Sequence, residues 1–254
     1  MTLISICCHD TIENGRTKYT QATLSSLKET VDLDKHRVVI VDNASCEATK
    51  EYLNECSTWA TIITNDTNLG TAKAINKAWA LRTKGEHLIK MDNDVDVFSF
   101  DWVEEMEEAI ERDPTIGILG LKRKDLMENP FRNDAFKSTL RMLPHTKGQR
   151  WILVEDVHHV MGTCTMFNHR LVDKIGGLSQ MDGVYGFDDT LASLRAKLAG
   201  FKLSFLPHIE IEHIDTGGDA YTEWKRKYAG EMMQAFEKEK QMLINGTKSI
   251  KVEL

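Results

Sequence analysis

The stretch Glu86-His87-Leu88-Ile89-Lys90-Met91-Asp92-Asn93-Asp94 decides the fold class. An apolar-rich run of strand length stops at Asp-Asn-Asp, which places two carboxylates at fixed separation on a rigid element. That arrangement suits a hard divalent cation that takes oxygen ligands, keeps room for substrate phosphates and neutralises a leaving diphosphate. The plainer alternative is turn and N-cap chemistry, since Asp and Asn favour such positions. Roughly a hundred residues further on, a second acidic pair, Asp188-Asp189, opens a helix-like segment. Carboxylates at a strand end together with carboxylates at a helix start predict a metal-and-base active site.

Outward from this strand the chain alternates strands and helices in the manner of an α/β sheet. Leu3 to Cys8 reads as the first strand, and Tyr19 to Val31 carries Ala22, Leu24, Leu27 and Val31 at near-helical spacing. Arg37 to Val41 is a buried-type strand that ends at Asp42-Asn43-Ala44-Ser45. A helix begins near Thr71, with Ala72, Ile75, Ala78 and Trp79 on one face, and another spans Trp102 to Arg112. Further on, Val157 to Phe167 predicts one strand around Gly162, Leu191 to Leu198 a helix and Phe201 to Leu206 a strand. Asp219 to Leu243 predicts a long amphipathic helix whose stripe of Tyr221, Trp224, Tyr228, Met232 and Phe236 reads as packing. With no repeat and no Pro/Gly-rich linker, the expectation is one domain over residues 1–218 with a helical extension over 219–254 packed on it. Each βα step then delivers functional groups to the carboxyl ends of strands, where open α/β sheets bind ligands.

At 254 residues and 41% apolar composition the chain has ample material for a core. No apolar run approaches a membrane span, and the short run near the N-terminus lacks the basic lead-in of a signal peptide. The five cysteines, Cys7, Cys8, Cys46, Cys56 and Cys164, are odd in number and show no C-x-x-C spacing. They predict neither a disulfide framework nor a zinc site, and a reducing, cytoplasmic home. A net charge of −7 speaks against indiscriminate nucleic-acid binding. Locally, residues 121–150 carry eight basic side chains (Lys122, Arg123, Lys124, Arg132, Lys137, Arg141, Lys147, Arg150) against three acids (Asp125, Glu128, Asp134). That segment reads either as a solvated loop or as a face for a phosphate-bearing partner.

The order of these blocks resembles a known family. Val41-Asp42-Asn43-Ala44-Ser45, then Asn68-Leu69-Gly70-Thr71-Ala72-Lys73-Ala74-Ile75-Asn76, then Asp92-Asn93-Asp94, is similar to the nucleotide-binding half of family 2 glycosyltransferases of the GT-A fold. The segments Met161 to Phe167, Ile175-Gly176-Gly177-Leu178, and Tyr185 to Arg195 resemble that family's G-x-C-x-x-F, I-G-G-[FL] and [ED]-D-x-x-x-S-x-R signatures. His213 stands near the family's late histidine, and the resemblance covers about residues 1–218. It implies a Rossmann-like α/β/α sandwich with a mostly parallel central sheet, and an inverting enzyme that uses a nucleotide diphosphate sugar, by default a UDP-sugar.

The resemblance implies a role for each matching residue. Asp42 reads the nucleotide base, as a carboxylate accepting from an imide N–H can do. Asn68, Gly70 and Asn76 belong to the N-x-G segment, with Gly70 allowing close backbone approach and Lys73 facing phosphate. Asp94 coordinates the metal, Asp92 lies nearer the ribose or a second shell of the ion, and His213 completes a site that an imidazole tilts toward Mn²⁺ over Mg²⁺. Asp189 is the general base that deprotonates an acceptor hydroxyl, and Asp188 stands where the family has Glu, one methylene shorter. The alternatives are ordinary ones: a strand-end turn for Asp42, a helix start for Gly70 and Lys73, a core or surface histidine for His213, N-caps for Asp188 and Asp189. The first-strand exit, Cys7-Cys8-His9-Asp10-Thr11, departs from the family pattern.

A glycan or surface-polymer hydroxyl leads as acceptor, with a polyanion such as a hydroxylated base in DNA kept open by the basic segment. Two other classes stand beside this one. A nucleotidyltransferase calls for a Gly-rich basic phosphate loop near the first strand, which Thr11 to Arg16 does not resemble; a silent sugar-nucleotide-binding scaffold calls for loss of the acids that Asp92, Asp94 and Asp189 retain.

Overall fold

A computed structural model describes residues 1–125, 138–215 and 220–254. Ten strands form one sheet: β1 (Thr2–Cys8), β2 (Arg37–Asn43), β3 (Thr61–Asn65), β4 (His87–Met91), β5 (Val95–Val97), β6 (Ile116–Arg123), β7 (Ser138–Met142), β8 (Leu153–Val157), β9 (Cys164–Phe167) and β10 (Lys202–His213). The described helices are α1 (Thr17–Thr30), α2 (Glu47–Cys56), α3 (Thr71–Trp79), α4 (Trp102–Arg112), α5 (His169–Ile175), α6 (Asp188–Leu198) and α7 (Ala220–Ile244). The spatial order is β3-β2-β1-β4-β9-β6-β10-β8-β7, with β5 paired to the end of β10. Most strands run the same way; β9 and β8 on this path run against them.

Strands β1, β2 and β4 are buried on both faces, and the period of two divides their side chains between two cores. Ile4, Ile6, Val38, Ile40, Ile89 and Met91 pack with Leu24, Leu27, Leu53 and Met106 from α1, α2 and α4. Leu3, Val39, Val41 and Leu88 pack on the other face with Ile75, Trp79, Leu171 and Ala192 from α3, α5 and α6. This is the α/β/α sandwich expected of the sequence. Trp79 anchors the second core: its indole N–H donates to Ser5 Oγ at 2.9 Å, Ser5 donates onward to the Ile89 carbonyl, and its ring meets Phe167 edge-on at 4.8 Å. On α7, Phe236 is buried and stacks on Phe187 at 4.3 Å, so that position of the aromatic stripe is packing, whereas Trp224 stacks on Tyr228 of the same helix at 5.3 Å and stays exposed.

One expectation is corrected. Val157 to Phe167 is not a single strand but the end of β8, a turn through Gly162, and β9. The reason is topological: β8 pairs with β10, whereas β9 lies between β4 and β6, so the chain must leave the sheet to cross from one slot to the other. Strand β10 is also longer than expected. Its register with β6 shifts between Leu206 and Glu210, around Pro207, which cannot donate to a ladder. Beyond that irregularity the strand continues to His213 and meets β5.

The C-terminus is strapped to this scaffold. Val252 N donates to the Ile175 carbonyl and Gly177 N to the Val252 carbonyl, at 2.8 and 3.0 Å. Arg195, fully buried, donates to the carbonyls of Ile250 and Gly177 at 2.7 Å each and also to that of Ile175. Gly176 makes the approach possible at φ +67°, with its Cβ position only 1.7 Å from the Val252 carbonyl oxygen. Gly176→Ala should therefore eject the C-terminal strap and lower stability by about 2–4 kcal/mol. Urea unfolding, with limited proteolysis of the tail, checks this; an unchanged midpoint would refute it.

Candidate functional site

The carboxyl ends of β1, β2 and β4 carry Asp10, Asp42 and Asp92 to one rim of the sheet, as parallel strands dictate. Asp10 ties the rim together. Its carboxylate accepts from Thr20 Oγ1 at 2.7 Å, Thr49 Oγ1 at 3.2 Å and Asn93 Nδ2 at 3.1 Å, joining α1, α2 and the Asp92-Asn93-Asp94 turn. Burial raises its pKa, and the two threonine hydroxyls pull it partly back. Asp42 is 1% exposed; Oδ1 accepts from Ser45 N at 2.8 Å, the strand-end turn, while Oδ2 has no hydrogen-bond partner among the described residues.

The Asp-Asn-Asp turn sends its two carboxylates to different buried cations. Asp92 accepts from Lys90 Nζ at 2.5 Å. The same ammonium donates to the Gly162 carbonyl at 2.7 Å and lies 4.0 Å from Asp188 Oδ2 at the start of α6. Burial opposes charge on Lys90, but Asp92 and Asp188 outweigh it and hold the ammonium protonated. Asp189 Oδ2 accepts from Gly162 N at 3.3 Å and stands 3.7 Å from His159 Nε2. Gly162 permits this convergence, since a Cβ there would lie 2.8 Å from Lys90 Nζ and 3.2 Å from Asp189 Cβ. Both acids occupy the first turn of α6, where the helix dipole favours negative charge. Asp188 is nevertheless pushed up to about 6, by burial and by the neighbouring Asp189 and Asp92, against the pull of Lys90.

Asp94 faces the other way. Its Oδ2 accepts from Arg16 Nη2 at 2.5 Å and lies 3.4 Å from His213 Nε2. Arg16 Nη1 donates to Asp215 Oδ2 at 2.6 Å. His213 reaches this point because β10 pairs with β5, His213 opposite Val95. Its Nδ1 lies 2.9 Å from the Asp215 carbonyl, which can only accept, so Nδ1 carries the proton and Nε2 is turned to the carboxylate. Two ligands of one ion, each about 2.1 Å from it, sit about 3 Å apart, so Asp94 and His213 fit a divalent cation as a pair. Asp92 does not join them. Among the described residues no three His, Cys, Asp or Glu side chains are grouped to hold a metal by themselves, so the remaining positions suit diphosphate oxygens or water.

Around α3 the expected nucleotide residues are engaged within the protein. Asn68 Oδ1 accepts from Asn43 Nδ2 at 2.7 Å and from Gly70 N at 2.9 Å. Gly70 lies against the Gln180 side chain, whose Oε1 also accepts from Lys73 N at 3.3 Å, and the Lys73 side chain is exposed. Asn76 exchanges two hydrogen bonds with the backbone of Leu178. Four of the eight basic side chains of the 121–150 segment are likewise paired: Lys122 with Glu155, Arg123 with Asp125, Arg141 with Asp113 and Asp156, and Arg150 with Glu105 and Glu108. Arg132 and Lys137 lie outside the described residues. Sequence reasoning missed Arg16, Lys90, His159 and Asp215. Lys90 alone left a signal, a charged residue inside an otherwise apolar strand.

The sequence model described as Glycosyl transferase family 2 matches residues 6–176, about two thirds of the chain. The chain belongs to glycosyl transferase family 2. The match ends before α6, so Asp188, Asp189 and His213 lie beyond it. Among solved structures the family member is similar to mannosyltransferase PcManGT from Pyrobaculum calidifontis, in complex with GDP-Man and Mn²⁺ (TM-score 0.64, 18% identity, 88% of this chain and 59% of that one). It is similar also to GalNAc-T7 with UDP, GalNAc and Mn²⁺ (TM-score 0.61, 15% identity, 84% and 43%) and to S. aureus TarS 1-349 (TM-score 0.58, 16% identity, 85% and 61%). These likenesses show the GT-A fold. A curated relative, "Uncharacterized protein y4gI" of Sinorhizobium fredii (strain NBRC 101917 / NGR234), is 23% identical over 226 residues, 82% of this chain and 24% of that protein. The chain thus spans about a quarter of that relative's length and less than two thirds of each structural neighbour.

Lys90 is the cation shared by the Asp92 and Asp188 side of the rim. Lys90→Met should leave the part-buried carboxylates of Asp92 and Asp188 without their cation and cost about 2 kcal/mol at pH 8. Asp188 has its folded pKa raised above the ordinary 3.8, so proton uptake favours the folded state as pH falls through about 6. The penalty should accordingly shrink by pH 5; urea midpoints of the two proteins at pH 8 and pH 5 check it, and an equal deficit at both would refute it.

Proposed function

We propose that this glycosyltransferase is inverting and moves a sugar from a nucleotide diphosphate sugar, by default a UDP-sugar, to an acceptor hydroxyl of a glycan or surface polymer. The observation that carries the reading is the meeting of Asp188 and Asp189, from the first turn of α6, with Lys90 and Asp92 at the end of β4. Asp189 is the general base that takes the hydroxyl proton as the acceptor oxygen attacks the anomeric carbon from the side opposite the departing diphosphate. His159, 3.7 Å from Asp189 Oδ2, orients that carboxylate. Asp188, partly buried 4.0 Å from Lys90 Nζ, orients the acceptor. Asp42 meets the nucleotide base through Oδ2, and Asn68, Gly70, Lys73 and Asn76 shape the donor side, the first two and Asn76 by fixing the backbone around α3.

Asp94 and His213 would hold a divalent cation, Mn²⁺ in preference to Mg²⁺, which supplies neutralisation of the leaving diphosphate when bound. The solved relatives that carry Mn²⁺ with GDP-Man or with UDP and GalNAc support this choice. Against a polyanionic acceptor stands the internal pairing of Lys122, Arg123, Arg141 and Arg150, whose charge is spent within the protein. No helix among the described residues is long and apolar enough to cross a membrane, and the five cysteines are free, which supports a cytoplasmic site of action.

A thermal-shift panel of nucleotide diphosphate sugars with and without Mn²⁺ should single out one donor by a metal-dependent rise in melting temperature. Asp189→Asn should retain that shift while transfer, or hydrolysis of the donor, falls about a hundredfold or more. Turnover undiminished by Asp189→Asn would sink the base assignment, and a panel with no shift at all would move weight to an unusual donor or to a scaffold that binds no sugar nucleotide.

A further inference from the structure

Arg16 sits just before α1, 3% exposed, and its two terminal nitrogens reach two acids from distant parts of the chain, Asp94 and Asp215. The oxygen it holds on Asp94 is Oδ2, the same atom that faces His213 Nε2 at 3.4 Å. A guanidinium is a permanent cation, and one so buried is poorly screened by solvent. We propose that Arg16 is a resident competitor for the divalent ion: it occupies Asp94 in the free protein, weakens ion binding there by like-charge repulsion and loss of a free carboxylate, and so keeps the site from filling without a diphosphate. The proposal rests on the reading that Asp94 and His213 hold the ion.

The charges make the point in plain terms. Asp94 Oδ2 is held by the Arg16 guanidinium, so a divalent ion approaching that oxygen meets a carboxylate already shared with a cation. A nucleotide diphosphate adds negative charge and its own oxygen ligands on the far side of the ion, which restores the balance. Asp215 keeps hold of the guanidinium when Asp94 turns to the ion, so Arg16 need not be exposed to solvent for the exchange.

The experiment is a Mn²⁺ titration of the full chain, read by the loss of the free-ion paramagnetic resonance signal, on the natural protein, Arg16→Met, Arg16→Lys and Asp94→Asn, each with and without UDP. Arg16→Met should bind Mn²⁺ alone about tenfold or more tighter than the natural protein. Arg16→Lys, which keeps the charge, should stay close to the natural value. Removal of Arg16 also takes a cation from two buried acids, so Arg16→Met should melt early and be rescued by Mn²⁺ but not by NaCl of equal ionic strength. If Arg16→Met does not fold, Arg16→Gln removes the charge and keeps amide donors, with the same expected tightening. Equal or weaker Mn²⁺ binding in the neutral variants, while Asp94→Asn still abolishes it, would overturn the competitor role and make Arg16 an organiser of the site. Mn²⁺ binding indifferent to Asp94→Asn would overturn the underlying metal reading, and the proposal with it.

Discussion

Crowding of negative charge at one rim of the sheet is the constraint on which the rest of this structure depends. Asp10, Asp92, Asp94, Asp188, Asp189 and Asp215 all converge there, and several are almost wholly buried. Unpaired, such groups would give up their charge or unfold the protein. Two buried cations divide the burden: Lys90 serves Asp92 and Asp188, and Arg16 serves Asp94 and Asp215. Asp10 is met instead by hydroxyls and an amide, and burial raises its pKa. The rim is therefore two ion clusters back to back, separated by the three-residue turn Asp92-Asn93-Asp94.

That division gives the two halves of the proposed reaction different electrostatic settings. The Lys90 side gathers the acids that would handle an acceptor proton, and the Arg16 side gathers the groups that would meet a diphosphate. Asn93 points between them to Asp10 and Thr20, so the turn cannot rotate to merge the two clusters without losing two hydrogen bonds. The middle residue of the motif thereby serves geometry, whereas its neighbours serve charge.

Much of this was legible in the sequence wherever the signal was local. The strand character of Leu3 to Cys8 and Arg37 to Val41, and the phase of Ala72, Ile75, Ala78 and Trp79 in α3, reported their own burial. The motif order gave the family, which the match over residues 6–176 bears out. What escaped was non-local. Helix α2, strand β3 and strand β6 were not read from the chain, and the split between β8 and β9 follows from which slot each strand fills, which no window of sequence contains. Arg16 and Asp215 are 199 positions apart, and neither carries a pattern until the fold brings them together. Within the basic run over 121–150, the acids that pair Lys122, Arg141 and Arg150, namely Glu155, Asp156, Glu105 and Glu108, come from outside its borders and were likewise not visible in the run itself.

The placement of β9 has a further consequence for how the molecule comes to exist. Strands β1 to β4 pair among themselves and precede residue 92, yet β4 shows an open edge until β9, beginning at Cys164, slides in beside it. An emerging chain thus carries a hydrophobic strand with one unpaired edge for some seventy residues of synthesis, a template for pairing with another nascent chain. Closure at that slot is a long-range event that loop entropy makes slow. The Arg16 contact with Asp215 comes later still, because Asp215 follows β10, so the Arg16 side of the rim is completed only after β9 and β10 have been made.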